Sequence, residues 1–345
     1  MSRHDFAAVA AGACVLCLLA SAAGADPVAD FYRGKTLEML IPTSPGGDYD
    51  VRARMLARHM PRHIPGNPGI VSRNMPSGVG IGAANYLMKV APRDGTVLHA
   101  IFQNIPALQA IGRQGIEYDV RTFHWIGNTT DSPNVINSWH TTGITSIKDA
   151  MERELVVGAP GVATASYVYP MVLNQLVGTK FRVITGYPGG NEVNLAMEKG
   201  EVGGRGSNVW ASWKRGHPQW IAEKKIHILV QIGLSRAPDL PDVPLMLELA
   251  RNPADRELLT FLSADTAISR AFVTAPGAPP ERVAALRKAF DATMKDPEFQ
   301  GEAARTRMEI TAASGEACQA VSDSIINAPA EVRARAKAAI EGSGK

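Results

Sequence analysis

The sequence predicts an α/β protein with mostly parallel sheets, and two observations support this fold class. Short apolar runs of strand length lead into glycine turns and then into stretches with helical spacing of apolar residues, and this order recurs four times. The chain has 345 residues, 45% of them hydrophobic and 20% charged, which suffices for packed cores in about two domains. Wholesale disorder is therefore excluded.

The first part of the chain contains two such units and one further strand. The predicted segments are strands at 36–42, 70–71 and 96–102, turns at 44–47 and 76–80, and helices at 48–60 and 81–90. The same order returns later, with strands at 155–157 and 181–185, turns at 158–161 and 187–190, and helices at 164–176 and 192–199.

Two apolar, extended stretches at 125–138 and 226–234 are predicted to cross between domains. The last part of the chain predicts a strand near 268–273, a helix over 281–294 and an alanine-rich helical end. The charges number 36 Lys and Arg against 33 Asp and Glu, with no basic run. This balance argues against nucleic-acid binding.

The first 25 residues have the pattern of a cleavable secretory signal. Arg3 and His4 form a basic start, residues 6–20 are an uncharged apolar run, and Ala23-Gly24-Ala25 supplies the small residues that a signal peptidase needs. The alternative is a membrane anchor, but the run is shorter than the roughly 20 residues that span a bilayer. We therefore expect export, with cleavage after Ala25.

Cysteine usage predicts no disulfide in the exported chain. Cys14 and Cys17 lie inside the signal segment and show no lipoprotein pattern, so only Cys318 remains after cleavage. A lone cysteine without a partner is expected to be a buried or unreactive thiol, and it is not a convincing catalytic nucleophile.

The four glycine turns are the features most indicative of function. A turn without side chains, at the carboxyl end of a parallel strand, leaves backbone N–H groups at a helix start that can bind an anion without Lys or Arg. The alternative is that each glycine only permits a tight connection. Four matched turns in an exported protein favour a carboxylate site in a crevice at the strand ends. None of the turns matches a nucleotide-binding motif.

Other candidate sites are weaker. His59 and His63 are four residues apart, but Pro61 lies between them and no third zinc ligand is evident. Asp48 and Asp50 are interpreted chiefly as helix caps, with Asp48 a candidate for lining the site. No metal or cofactor is predicted.

Larger side chains near these turns are assigned structural roles. The arginines at 52, 54 and 58 lie on one predicted helix and are expected to be solvated or locally paired. The tryptophans at 210, 213 and 220 are expected to pack in the core and rim instead of forming a stacking platform.

Four segments resemble the Bug/TctC family, the periplasmic substrate-binding receptors of tripartite tricarboxylate transporters. They are IPTSPGGDYDVRARMLARHM at 41–60, HIPGNPGIVSRNMPSGVGIGAANYLMKVAPRDGTVL at 63–98, VITGYPGGNEVNLAMEKGEV at 183–202 and LSRAPDLPDVP at 234–244. Their order and spacing extend the resemblance over essentially the whole chain after the signal segment. The first two segments are the more specific ones.

The resemblance implies a type II periplasmic-binding-protein fold, with two lobes joined by two crossing strands and a ligand cleft between them. The implied segments are residues 1–25 as signal peptide, 26–129 plus 233–345 as the first lobe, and 130–232 as the second. A small carboxylate ligand is implied, held largely by backbone amides and water, with membrane permease subunits as partners and periplasmic localisation.

The resemblance also implies which residues contact the ligand. In the first lobe they are Ser44, Gly46, Gly47, Asp48, Tyr49, Ser77, Gly78, Val79, Gly80 and Asn104. In the second lobe they are Gly161, Thr164, Ala165, Ser166, Tyr187, Pro188, Gly189, Gly190, Ser207 and Asn208.

The chain departs from the family pattern at two positions. Asp48 stands where the family usually has glycine or another small residue, and a carboxylate there repels an anion unless it caps the helix. Otherwise it would accept a hydrogen bond from a ligand hydroxyl or amine. The second turn reads PSGVGIGA where the family form resembles PGAGGxxGA. Both changes bear on the identity of the ligand.

Three functions remain open at this point: a transport receptor, an exported enzyme acting on a small organic acid, and a receptor that signals to a membrane sensor. An enzyme would need a nucleophile–base pair or a metal set near the turns, and the sequence offers neither. The transport receptor is therefore favoured, with no enzymatic activity and no nucleic-acid partner.

Overall fold

The computed structural model describes residues 26–341, apart from the side chains of Ser77 and Val79. The predicted signal segment lies outside the described residues. Within 26–341, no helix is both long and apolar enough to cross a membrane.

Strands and helices alternate through most of the chain. The strands are β1 Thr36–Ile41, β2 Gly69–Asn74, β3 Val97–Ile101, β4 His124–Asn128, β5 Asn134–Trp139, β6 Leu155–Gly158, β7 Phe181–Ile184, β8 Gly204–Val209, β9 Ile226–Ile232, β10 Ala271–Thr274 and β11 Ala313–Ser314. The helices are α1 Pro27–Tyr32, α2 Asp48–His59, α3 Ile81–Lys89, α4 Ile105–Ala110, α5 Ile147–Glu152, α6 Ala165–Leu176, α7 Gly190–Glu198, α8 Trp210–Gly216, α9 Pro218–Ala222, α10 Pro253–Ser263, α11 Pro280–Lys295, α12 Pro297–Arg305, α13 Gly315–Ile326 and α14 Ala330–Glu341.

The strands form two mixed sheets. The first sheet has six strands in the order β11-β4-β10-β3-β1-β2, and the second has five in the order β7-β6-β8-β5-β9. Parallel pairing joins β1 to β2 and β3, and β6 to β7 and β8. These are the strands of the strand–turn–helix segments. The remaining pairs are antiparallel, because their strands come from the crossing stretches and the last part of the chain.

The chain passes between the two sheets twice. β4 lies in the first sheet and β5 in the second, with only residues 129–133 between them. After β9 the chain returns to the first sheet at β10. The loops after the parallel strands of both sheets face the region between the sheets. A ligand site is expected at this place in such folds.

Two local differences from the predicted elements concern single segments. The first residue of the strand predicted at 268–273, Ile268, belongs to a 3₁₀ turn over residues 264–268, and the strand begins only at Ala271. β8 was not predicted as a strand, since the run GRGSNV is rich in glycine and polar residues.

Two predicted packing roles are confirmed. Trp210, Trp213 and Trp220 are buried in one apolar cluster of the second sheet. Cys318 is fully buried, and burial raises the pKa of its thiol to about 12, so it is not a reactive nucleophile at neutral pH.

Candidate ligand-binding cavity

A cavity of about 440 Å³ lies between the two sheets. Its walls come from the loops that follow β1, β2 and β3 in the first sheet and β6, β7 and β8 in the second. Each of these strands takes part in parallel pairing. The sequence prediction of a crevice at the carboxyl ends of these strands therefore matches the position of the cavity.

Three helices of at least nine residues begin at this cavity. α2 starts after Gly47, α6 after Thr164 and α7 after Gly189, and all three of these N-cap residues line the cavity. None of the three N-caps makes a side-chain hydrogen bond to its helix. The first-turn N–H groups therefore have no side-chain cap from these residues, although that of Tyr167 donates to the carbonyl of Thr164. The positive ends of three helix dipoles meet at one cavity.

Several polar side chains of the cavity wall also lack partners. Among the described residues, four such atoms are buried without a hydrogen bond: Thr43 Oγ1, Asn134 Oδ1, Ser212 Oγ and Arg205 Nε. Buried polar atoms in native proteins are nearly always paired with protein or ordered water. These four atoms make the surroundings of the cavity polar behind its surface as well as at it.

Asp48 lies at the first-sheet end of the cavity and pairs with three arginines. Its carboxylate accepts hydrogen bonds from Arg52 Nε at 3.1 Å, Arg270 Nε at 2.7 Å and Arg215 Nε at 3.3 Å. Burial acts to raise the pKa of Asp48, but the charges of these arginines hold it well below its usual range. Asp48 is therefore ionised and fully paired.

The predicted capping role of Asp48 is wrong. The N-cap of α2 is Gly47, and Asp48 is the first helical residue, with its side chain directed to arginines that are distant in sequence. Three guanidinium groups are stronger partners for a carboxylate than a single backbone N–H, because each bond is charge-assisted.

Asp50 instead fixes the turn before α2. Its carboxylate accepts a hydrogen bond from the N–H of Gly46 at 2.9 Å, and Asn74 and Arg54 donate to the same carboxylate. Gly46 has φ +82°, a conformation that favours glycine. Asp50 and Gly46 together shape the loop that presents Gly47 to the cavity.

The predicted local pairing of the α2 arginines is confirmed for two of them. Arg52 pairs with Asp48 and Arg54 with Asp50, each four residues apart, whereas Arg58 pairs with Glu302 on α12. Arg52 is also almost fully buried, which the prediction of a solvated or locally paired side chain did not specify.

Arg205 lies at the second-sheet end of the cavity. Its Nη1 donates to the carbonyl of Gly190 at 3.4 Å and to Asn194 Oδ1 at 3.1 Å, and its Cζ lies 5.6 Å from the ring centroid of Trp213. Within residues 26–341 it forms no ion pair. Burial, and next the charge of Arg270, lowers the pKa of Arg205 to about 10, so it is charged at neutral pH.

Asn194 is held in turn by His217. Its Nδ2 donates to His217 Nε2 at 3.1 Å, which requires that ring nitrogen to be unprotonated. Burial, followed by the charges of Arg205 and Arg215, lowers the pKa of His217 to about 4. A neutral imidazole therefore orients the amide that orients the guanidinium of Arg205.

Fifteen of the residues predicted to contact a ligand line the cavity: Ser44, Gly47, Asp48, Tyr49, Gly78, Asn104, Thr164, Ala165, Ser166, Tyr187, Pro188, Gly189, Gly190, Ser207 and Asn208. Gly46, Gly80 and Gly161 are not in its wall. Gly80, with φ +89°, packs against the ring of Phe102, and the carbonyl of Gly161 accepts from Thr164. The side chains of Ser77 and Val79 lie outside the described part of the chain.

Sequence reasoning missed Arg205, Arg215 and Arg270, the three arginines of the cavity wall. They are far from the first turn in sequence, so no motif spacing could identify them. Arg205 alone left a signal, because it stands between Gly204 and Gly206 in a segment that is otherwise buried. A charged residue between two glycines of a buried strand is unusual.

The histidine pair considered as a zinc site binds carboxylates. His59 Nε2 lies 2.7 Å from Glu302 Oε2, and His63 Nε2 lies 2.8 Å from Asp296 Oδ2. Neither histidine lines the cavity, and no group of three metal-ligating side chains occurs among the described residues.

No protein-family model matches the chain, and a search of curated proteins found no match. Solved structures do match. A TctC solute-binding protein from Polaromonas is 19% identical with a TM-score of 0.59, covering 90% of this chain and 99% of that one. MatC from Rhodopseudomonas palustris with bound malate is 18% identical with a TM-score of 0.67, covering 89% and 99%. An R. palustris protein with adipate is 21% identical with a TM-score of 0.66, covering 88% and 97%.

These likenesses extend over nearly the full length of both chains in each case. Sequence identities of 18–21% establish a shared architecture. The two mixed sheets with their surrounding helices are thus a known architecture. The chain has the fold of the TctC-type solute-binding proteins.

Proposed function

We propose that this chain is an exported receptor that binds a small carboxylate in the cavity between two lobes and delivers it to a membrane permease of the tripartite tricarboxylate type. The lobes are those predicted from the sequence, 26–129 plus 233–345 and 130–232. The chain itself performs no chemistry in this proposal. It captures the acid and changes shape around it.

The convergence of three uncapped helix starts on one cavity is the observation that supports this function best. Each helix terminus contributes about 0.3–1 kcal/mol toward a surface anion, and more when partly buried. The N–H groups of Gly47, Asp48 and Tyr49 begin α2 and the loop before it, and all three residues line the cavity. Similar proteins were solved with malate and with adipate, both of them dicarboxylates.

Contacts across the cavity suit a cleft that closes on its ligand. Arg215 on α8 reaches Asp48 on α2, and Asn104 after β3 donates to the carbonyl of Ala163 before α6. Two crossings connect the proposed lobes, a short one over residues 129–133 and a return after β9, and they would act as the hinge. A ligand that contacts both walls shifts the population toward the closed form, because it binds that form more tightly.

A thermal-shift panel on the exported protein, unfolded and refolded to remove carried-over ligand, tests this function. It would compare mono-, di- and tricarboxylates, aromatic acids, amino acids, sugars and cations. A ligand at about 1,000 times its Kd stabilises the folded state by roughly 4 kcal/mol. We expect a response confined to carboxylates. A response to amines or sugars with none to any acid would contradict the proposal.

Gly47→Pro tests the backbone mechanism. Gly47 has φ −69°, which proline adopts, and its N–H has no partner within the described chain. The change therefore removes an N–H at the cavity and puts a ring carbon in its place. We expect acid binding to fall at least tenfold by titration calorimetry, with the melting temperature almost unchanged. Arg58→Ala, which removes a half-exposed arginine of the same helix that pairs with Glu302, is the control and should leave affinity within about twofold.

A further inference from the structure

We propose that Arg205 is a ligand-binding residue whose guanidinium recognises a second anionic group, so that the cavity selects dianionic acids over monoanionic ones of the same length. This inference rests on the proposed function and adds to it. Backbone N–H groups at the helix starts would hold one carboxylate, and a charged side chain would hold the other.

The guanidinium of Arg205 is only partly used by acceptors of the protein. Arg205 spends only Nη1 on protein acceptors, the carbonyl of Gly190 and the amide oxygen of Asn194. Its Nε is buried without a partner, and no hydrogen bond joins Nη2 to another described residue. The protein therefore leaves part of the hydrogen-bonding capacity of this guanidinium unused, and a carboxylate is the partner that matches such a group best.

The side chains of the cavity wall carry more positive than negative charges. Among the described lining residues, the ionised side chains are Asp48, Arg205, Arg215 and Arg270, since His217 is neutral. Arg215 and Arg270 both pair with Asp48, and Arg205 pairs with no carboxylate. Counted over these lining side chains, positive charges exceed negative ones by two. The carboxylates of Asp48 and Glu192 act on Arg205 without forming an ion pair with it. A dianion compensates more of this surplus than a monoanion does.

Without a ligand, the burial of the Arg205 charge costs free energy. A charged side chain that is largely removed from water and has only neutral acceptors is unfavourable unless a counter-charge is supplied. The local structure nevertheless makes room for it. A Cβ at position 190 would lie 2.2 Å from Arg205 Nη2, so glycine is required there to leave space for the guanidinium. Asn194 and His217 fix its orientation.

The test compares acids of equal length with one and two carboxylates by titration calorimetry on the exported protein. The pairs are adipate with hexanoate and succinate with butyrate. We expect the wild-type protein to prefer the diacid of at least one pair by about 10- to 150-fold, as a charge-assisted pair of hydrogen bonds provides. Arg205→Met should remove most of this preference, while the affinity for the monoacid changes less than threefold.

Two further variants separate binding from folding. Arg205→Lys keeps a charge but loses the planar edge, and should show an intermediate preference. Arg182→Met removes an exposed arginine of the same sheet that pairs with Glu154, and should leave the preference intact. Melting curves without ligand show whether each variant is folded, and the ratio of diacid to monoacid affinity does not respond to stability alone.

The outcomes distinguish the two proposals. If the wild-type protein binds acids but shows no preference for either diacid, or if folded Arg205→Met and Arg205→Lys proteins keep that preference, Arg205 does not read a second anionic group. The receptor function would stand in that case. If the wild-type protein binds none of the acids, the receptor function itself is wrong and this inference fails with it.

Discussion

The two ends of the cavity are built from similar parts and differ in one respect. At the first-sheet end, Arg270 lies beside the start of α2 with its Cζ 4.1 Å from the ring centroid of Tyr49. At the second-sheet end, Arg205 lies beside the start of α7, over the ring of Trp213. Arg270 has the carboxylate of Asp48 at 2.7 Å, whereas Arg205 has no carboxylate partner in the described chain.

This difference separates a structural use of charge from a functional one. A carboxylate shared by three guanidinium groups holds together the segments that carry them, because each group is bound to it by a charge-assisted hydrogen bond. A guanidinium with neutral partners keeps its electrostatic attraction available. We therefore expect substitutions within the cluster of Asp48 and its arginines to change mainly stability, and substitutions at Arg205 to change mainly binding.

The largest expected effect is the loss of stability in Asp48→Asn. The substitution removes the counter-charge of Arg52, Arg215 and Arg270, which are all largely buried. Breaking a buried ion pair by removing one partner costs about 3–5 kcal/mol, because the remaining charge is left uncompensated. Urea unfolding at pH 7 measures this change directly.

Glu154→Gln is the matched control for that substitution. Glu154 pairs with Arg182 at 2.9 Å, but both side chains are more than half exposed, so the change should cost less than about 1 kcal/mol. Equal losses in Asp48→Asn and Glu154→Gln would show that the Asp48 cluster does not stabilise the fold.

Gly190→Ala is expected to lower stability less than Asp48→Asn does, and to weaken ligand binding more. The added Cβ meets Arg205 Nη2 at 2.2 Å and Cζ at 2.7 Å, so the guanidinium must move. The expected cost is about 1–3 kcal/mol in urea unfolding, typical of overpacking. The diacid preference in calorimetry should fall as far as it does in Arg205→Met.

Gly47→Ala provides the comparison at the other end of the cavity. Its Cβ would meet nothing closer than the carbonyl oxygen of Ser44 at 3.7 Å, and the backbone N–H is retained. Stability and diacid preference should both stay close to wild type. If Gly190→Ala kept its diacid preference as well, the position of Arg205 would have no bearing on ligand recognition.

Local sequence patterns predicted the strand–turn–helix segments but not how the other strands pair. Apolar runs followed by glycine turns placed β1, β6 and β7 close to their observed positions, since the periodicity of a buried strand is a local property. β8 was not predicted, because its polar, glycine-rich run has low strand propensity. In the structure, pairing with β5 and β6 outweighs that propensity.

The candidate site also has a part that local sequence predicts and a part that only the fold brings together. Turn residues such as Gly47, Thr164 and Gly189 were predictable because each lies at a helix start in its own segment. The arginines were not, because Asp48 meets Arg215 and Arg270 only after residues 167 and 222 positions away are brought together by the fold. Sequence therefore located the backbone part of the site and missed its side-chain charges.

A second buried carboxyl sharpens the comparison because it has no cation among its hydrogen-bond partners. Asp265 Oδ1 accepts hydrogen bonds from Tyr169 at 2.7 Å and from Gln103 at 3.0 Å, and Gln103 lines the cavity. Burial raises the pKa of Asp265 to about 7, although both hydrogen bonds act to lower it. Asp48 and Asp265 are thus opposite cases: arginines keep the first ionised, and their absence lets burial favour the protonated form of the second.

The sign of the pH dependence follows from this difference. Between the unfolded pKa of about 4 and the folded value of about 7, the folded protein holds a proton on Asp265 that the unfolded chain releases. Stability should therefore fall as pH rises through this window, by no more than about 1.4 kcal/mol per pH unit for one proton, and level off above it. Asp265→Asn retains the Oδ1 acceptor and cannot ionise, so urea unfolding from pH 5 to 8 should show the wild-type protein losing stability relative to this variant. A constant difference between the two proteins across that range would mean that Asp265 is ionised throughout, and that burial without cations does not suffice to keep a carboxyl protonated here.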